Sequence, residues 1–223
     1  MSRRELTWYQ KAFIKTSRAL AGMSIGYYVT FDEELVRQRG IAGFLKWGKA
    51  TQAAYDDIER VLGGERAHLV AAFASFFNGC DYCAWGHLFA TNLLFFERTT
   101  RLFPIDEQEV HDLMRKGDSA VLTELAGLLK AEFPEELRLL MRQQELRSGG
   151  AATPATEEDR VLLKSIGLFE WVNECSITVN APAPPMDPIA RKKKLLEAYA
   201  AARKPGRDAR EAAKPARKPA TAE

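Results

Sequence analysis

Between residues 68 and 96 the chain carries one formally charged side chain, Asp81, and this run limits what the rest of the sequence can build. A stretch so poor in charge either crosses a bilayer or lies inside protein. Asn78, Gly79, Asp81, His87 and Asn92 cut it into pieces shorter than the roughly 18 to 20 apolar residues that a crossing requires. It therefore reads as a buried helix pair, suited to a subunit contact, and no membrane partner is expected.

Helical signals outnumber strand signals in the remainder. Ser2 with Glu5, Asp106 with Glu109 and Thr156 with Asp159 have capping-box spacing and predict three helix starts. Phe44, Trp47, Ala54, Tyr55, Ile58 and Val61 recur every three or four residues. So do Leu122, Leu125, Leu128 and Leu129, and Leu162, Ile166, Phe169 and Val172, each set marking a helix face. Pro134 fits the first position of another helix, which runs to the Ser148-Gly149-Gly150 break. Tyr27 to Thr30 is the one short piece with extended character. The expected fold class is all-α.

Charge divides the chain unevenly. Residues 189–223 hold 11 Lys or Arg against 4 Asp or Glu, a net of +7, which leaves residues 1–188 at −5. A mildly acidic body argues against a nucleic-acid-binding face, which normally shows as a basic patch. The basic tail is interrupted by Asp208, Glu211 and several prolines, and has no aromatic residue after Tyr199 to stack on bases. Ala181-Pro182-Ala183-Pro184-Pro185 reads as a stiff linker, followed by one further helix over 187–202. From Arg203 onward there is no large apolar residue, and disorder is expected.

The chemistry concentrates in Phe76-Phe77-Asn78-Gly79-Cys80-Asp81-Tyr82-Cys83-Ala84-Trp85-Gly86-His87. At about 100° per helical residue, Cys80, Cys83 and His87 share one face. Asn78-Gly79 is a turn signal that sets Cys80 near a helix N-terminus, where free amides and the helix dipole favour a thiolate. His87, one turn beyond Cys83, can hold or relay the proton that Cys83 releases. Two bland readings stand beside this one. Cys80, Cys83, His87 and His68 are also zinc-ligand types, although three ligands on one helical segment fit a tetrahedron awkwardly. Alternatively the cluster is redox-silent and the chain is an oligomeric binding or scaffold protein.

Of the other candidates, Cys175 reads as a buried structural thiol. His111, among Glu109, Asp112 and Lys116, reads as part of a solvated face without a catalytic role. Phe73, Phe76, Phe77, Phe89, Phe95 and Phe96 read as core packing, and Tyr82 and Trp85 as the better candidates for lining the site. Three cysteines, an odd number, and a start that leads into no apolar signal core fit a cytoplasmic protein better than a secreted disulfide framework.

The run Asn78-Gly79-Cys80-Asp81-Tyr82-Cys83 followed by His87 resembles the redox branch of the alkyl hydroperoxidase D and carboxymuconolactone decarboxylase superfamily, a small all-α fold. The resemblance covers about residues 40–180, which leaves residues 1–39 as an N-terminal helical arm and 181–223 as linker and tail. It implies a peroxidase in which Cys83 attacks a hydroperoxide and Cys80 resolves the resulting sulfenic acid as a disulfide. An external dithiol would complete the cycle, and trimers or hexamers would be the assembly. The family usually carries a glutamate base 12 residues before the first cysteine. Here that position is His68, so the implied proton relay is His68 with His87. No haem, flavin, nicotinamide or phosphate-loop motif is present, and no cofactor is expected.

Overall fold

The computed structural model describes residues 5–24, 28–149, 154–182 and 192–213. Among these there is no strand, and the chain is all-α. Its helices are α1 (Trp8–Ser24), α2 (Asp32–Leu62), α3 (Gly64–Phe77), α4 (Asp81–Thr99), α5 (Val110–Met114), α6 (Asp118–Leu129), α7 (Pro134–Arg147), α8 (Glu157–Thr178) and α9 (Lys193–Ala213). A short 3-10 turn, Glu107–Glu109, precedes α5.

The charge-poor run forms α3 and α4, which pack on each other at the centre of the molecule. Helix α3 is apolar on every side, and from Leu69 to Phe77 each of its residues is buried. That is possible because α2, α7 and α8 cover α3, while α5 and α9 lie against α4. The expectation that this run is suited to a subunit contact is thus corrected for α3. The chain's own helices cover it, in a core of Leu69, Phe73, Phe76, Leu88, Leu125 and Leu140.

Helix ends follow local chemistry. Thr156 Oγ1 accepts from Asp159 N at 3.0 Å, while Asp159 Oδ2 accepts from Ala155 N at 3.0 Å, a reciprocal cap in which Asp replaces the usual Glu. Asp106 caps the 3-10 turn through Gln108 N at 2.9 Å, and Pro134 opens α7. Ser2 lies outside the described residues, and the first described helix is capped by Thr7 with Gln10 instead. Tyr28 and Val29 adopt no regular structure, and Tyr27 lies outside the described residues. Helix α2 is kinked at Gly40, whose φ of 68° and ψ of 177° interrupt the helical path.

Helix α9 departs from the sequence expectation. It continues beyond Ala202 to Ala213, so disorder does not begin at Arg203. Composition alone missed the reason. Arg203 pairs with Asp106 and with Glu107, which is fully buried, and Tyr199 Oη donates to Glu107 Oε2 at 3.0 Å. Most of the expected linker, residues 183–191, and the tail from residue 214 lie outside the described residues. No helix among the described residues is long and apolar enough to cross a membrane.

Candidate functional site

Cys80 is fixed by two helices at once. Gly79, at φ 76°, takes the left-handed position that ends α3. Gly79 N donates to Phe76 O and Cys80 N to Ser75 O, each at 2.9 Å, which is the paired bonding of a Schellman motif. The same Cys80 is the N-cap of α4. Its carbonyl accepts from Ala84 N at 3.0 Å, and its Sγ accepts from Cys83 N at 3.4 Å. Cys80 thus precedes the helix that carries Cys83 and His87, rather than sharing a turn with them.

The thiols are unlike each other. Neither is in a disulfide, and both are buried. Cys80 accepts hydrogen bonds from the Cys83 thiol, from the Ser176 hydroxyl and from the Cys83 amide, and these lower its pKa against the opposing effect of burial. At Cys83 the bond to Cys80 and burial raise the pKa, and the Ser176 hydroxyl opposes them. Of the pair, Cys80 is the one whose thiolate the surroundings favour.

A cleft of about 510 Å³ opens beside Cys80. Two helix ends make it. On one side are Gly79, Cys80, Asp81, Tyr82 and Trp85, and on the other Ser176, Ile177, Asn180 and Ala181. The second side is another Schellman turn. Asn180 has φ 50° and donates to Ile177 O at 2.9 Å, and Ala181 N donates to Ser176 O at 3.1 Å. Cys83 does not line the cleft. His111, read from sequence as merely solvated, stands at the cleft edge, with its Nδ1 at 2.7 Å from Asp81 Oδ2.

His68 and His87 do not line the cleft; they meet each other with Nδ1 to Nδ1 at 3.0 Å, so one ring donates and the other accepts. Helices α3 and α4 supply one each. Tyr55 from α2 lies 5.3 Å from the His68 ring and 6.1 Å from that of His87, and Phe169 from α8 meets His87 edge-on at 4.9 Å. Some ring surface remains exposed, but this enclosure strips enough water to lower His68 to about 4 and to hold His87 well below its ordinary value. Both are neutral imidazoles near pH 7.

The four residues singled out in the sequence meet in two pairs, Cys83 N donating to Cys80 Sγ and His68 meeting His87, with Cys83 and His87 one turn apart on α4. They do not converge on a point, and among the described residues no three His, Cys, Asp or Glu side chains are placed to hold a metal ion. Tyr82 and Trp85 line the cleft, whereas Phe73, Phe76, Phe77 and Phe95 fill the core. Cys175 is fully buried, and burial pushes its thiol up to about 12. Ser176 was missed. It lies far along the chain from Cys80, and no local pattern marks a serine that will face a thiol from another helix. Comparison with known proteins finds no matching family model, no matching curated protein and no matching solved structure.

Proposed function

We propose that this chain is a thiol-dependent peroxidase or disulfide oxidoreductase that reduces hydroperoxides through a reversible Cys80–Cys83 disulfide. The observation that carries the reading is the pair of thiols at the N-terminus of α4, where the Cys83 amide donates to the Cys80 sulfur and Cys80 is among the residues that line a cleft. Two electrons leave the two thiols. The hydroperoxide gains them and becomes an alcohol and water, and the sulfurs join as a disulfide through a sulfenic acid. An external dithiol then reduces that disulfide by exchange and is itself oxidised.

The histidine pair supports the proton side of this cycle. Cys83 must release its proton as it enters the disulfide, and His87 lies one turn further along the same face of α4. As a neutral ring, His87 can take that proton and share it with His68 through the Nδ1 contact. The resemblance further implies a homo-oligomer, and the odd cysteine count fits the cytoplasm, where glutathione and thioredoxin systems keep such thiols reduced.

The test is a thiol count on the reduced protein before and after one equivalent of hydroperoxide, with mass spectrometry to locate any bond. Loss of two thiols per chain with a Cys80–Cys83 link is the expected result, as is loss of steady-state turnover in both Cys80→Ser and Cys83→Ser. Unchanged thiols would overturn the reading in favour of a redox-silent scaffold. Full turnover in both variants would rule out the disulfide cycle.

A further inference from the structure

We infer that Cys80, not Cys83, makes the first bond to substrate, and that Ser176 is the positioning residue that holds the Cys80 sulfur towards the cleft. This rests on the dithiol reading above and reverses the order of attack that the motif's resemblance implies. Three observations carry it. Cys80 and Ser176 both line the cleft of about 510 Å³, and Cys83 does not. Cys80 is the N-cap, so its sulfur receives the Cys83 amide at 3.4 Å where the free amides of α4 favour negative charge. In the same direction, the bond to the Cys80 sulfur and burial raise the Cys83 pKa against the opposing Ser176 hydroxyl, so Cys83 is the partner held more firmly as the thiol.

The steps balance with Cys80 first. The Cys80 thiolate attacks the distal oxygen of an organic hydroperoxide, the O–O bond breaks, and the alkoxide takes up a proton and leaves as the alcohol. Cys80 is then a sulfenic acid. Cys83 gives up its proton towards His87 and attacks the Cys80 sulfur, and the hydroxide that is displaced takes up that proton and leaves as water. In this order the histidines serve the second, resolving step, which fits their absence from the cleft lining.

The nature of the lining points to the substrate class. Tyr82, Trp85, Val110, Ile177 and Pro182 give it apolar and aromatic surface, with Asp81, Gln108, His111 and Asn180 as polar groups. Such a cleft suits an organic hydroperoxide with a ring or short chain better than hydrogen peroxide, which would leave most of it unused.

The experiment uses cumene hydroperoxide with dimedone as a sulfenic-acid trap on full-length Cys83→Ser and Cys80→Ser, with the wild type alongside. Serine is itself a good N-cap, so Cys80→Ser keeps the start of α4. The expected result is a dimedone adduct on Cys80 in Cys83→Ser, formed as fast as the wild type loses its thiols, and at least tenfold slower adduct formation on Cys83 in Cys80→Ser. Fast trapping on Cys83 with none on Cys80 would overturn the order and leave the dithiol cycle intact. Absence of both the adducts and the wild-type disulfide would instead sink the underlying reading. For Ser176 the readout is the pH midpoint of Cys80 alkylation in the Cys83→Ser background. Ser176→Ala should raise that midpoint by about one unit, the effect of losing one hydrogen bond to a charged sulfur, and Ser176→Thr should restore it. An unmoved midpoint in Ser176→Ala would remove Ser176 from the role.

Discussion

His68 and His87 show what burial demands of single residues. Each ring sits among Tyr55, Phe169 and the other ring, with no carboxylate among these ring contacts, and each is held below its ordinary pKa chiefly by loss of solvent. The unfolded chain, in which a histidine titrates near 6.5, then binds more protons than the folded chain at any pH between that value and the folded one. Stability contributed by the neutral pair is present above about pH 6.5 and is lost as the pH falls towards about 4, the folded value of His68. The slope reaches about 1.4 kcal/mol per pH unit for each histidine. Denaturant midpoints should therefore fall between about pH 7.5 and pH 5 in the wild type and fall less steeply in His68→Gln; an equally steep fall would place the titration elsewhere. Turnover separates the chemical role from the structural one. His68→Ala should slow disulfide formation, whereas His68→Glu, which restores the carboxylate that the resembled family carries there, should preserve or raise it.

Helix ends, at the next scale up, do the positioning. Gly79 closes α3 in a left-handed conformation at φ 76°, and an added Cβ there would meet nothing within 4 Å, so the penalty of Gly79→Ala is backbone strain rather than a clash. That strain is about 1–2 kcal/mol, which in a chain of this size lowers the melting temperature by roughly 2–8 °C. Because Cys80 is the next residue, its alkylation should also slow. A melting shift with unchanged Cys80 reactivity would show that the Schellman turn does not set the thiol. This junction was largely legible in the sequence, since Asn78-Gly79, the run of apolar residues and the Cys80–Cys83–His87 spacing are all local signals. The caps at Asp106, Thr156 and Pro134 were legible for the same reason. What the sequence hid is what long-range packing creates: Ser176 facing Cys80 across two helices, His111 against Asp81, and the histidines brought ring to ring from α3 and α4. The motif named the residues, but which of them lines the cleft depends on where α8 ends.

For the molecule as a whole, the docking of α9 is the feature that composition argued against. A basic, alanine-rich segment has little to bury, yet Tyr199 packs on Leu93 and Phe96 of α4, and Arg203 reaches Glu107. Glu107 is fully enclosed. Burial pushes its carboxyl above the usual carboxylate range, while Arg203 and the amide of Asn92, at 2.6 Å, pull it back. Removing one partner of such a pair leaves the other buried and uncompensated, which costs about 3–5 kcal/mol when both are fully enclosed. Arg203 keeps some exposure, so about 1–3 kcal/mol is the expected loss for Arg203→Ala. Much of that loss would come from the stranded carboxylate rather than from the missing contact. The double variant Arg203→Ala with Glu107→Gln should therefore recover part of it, because glutamine can still accept from Asn92 and Tyr199 without carrying a charge. Melting temperature and amide exchange along α9 report the two effects together. If Arg203→Ala opens α9 to exchange and the added Glu107→Gln closes it again, the buried carboxylate is what couples the C-terminal helix to the turn before α5. If Arg203→Ala changes neither, Tyr199 and its apolar neighbours hold the helix by themselves, and the ion pair fixes its register at no net gain in stability.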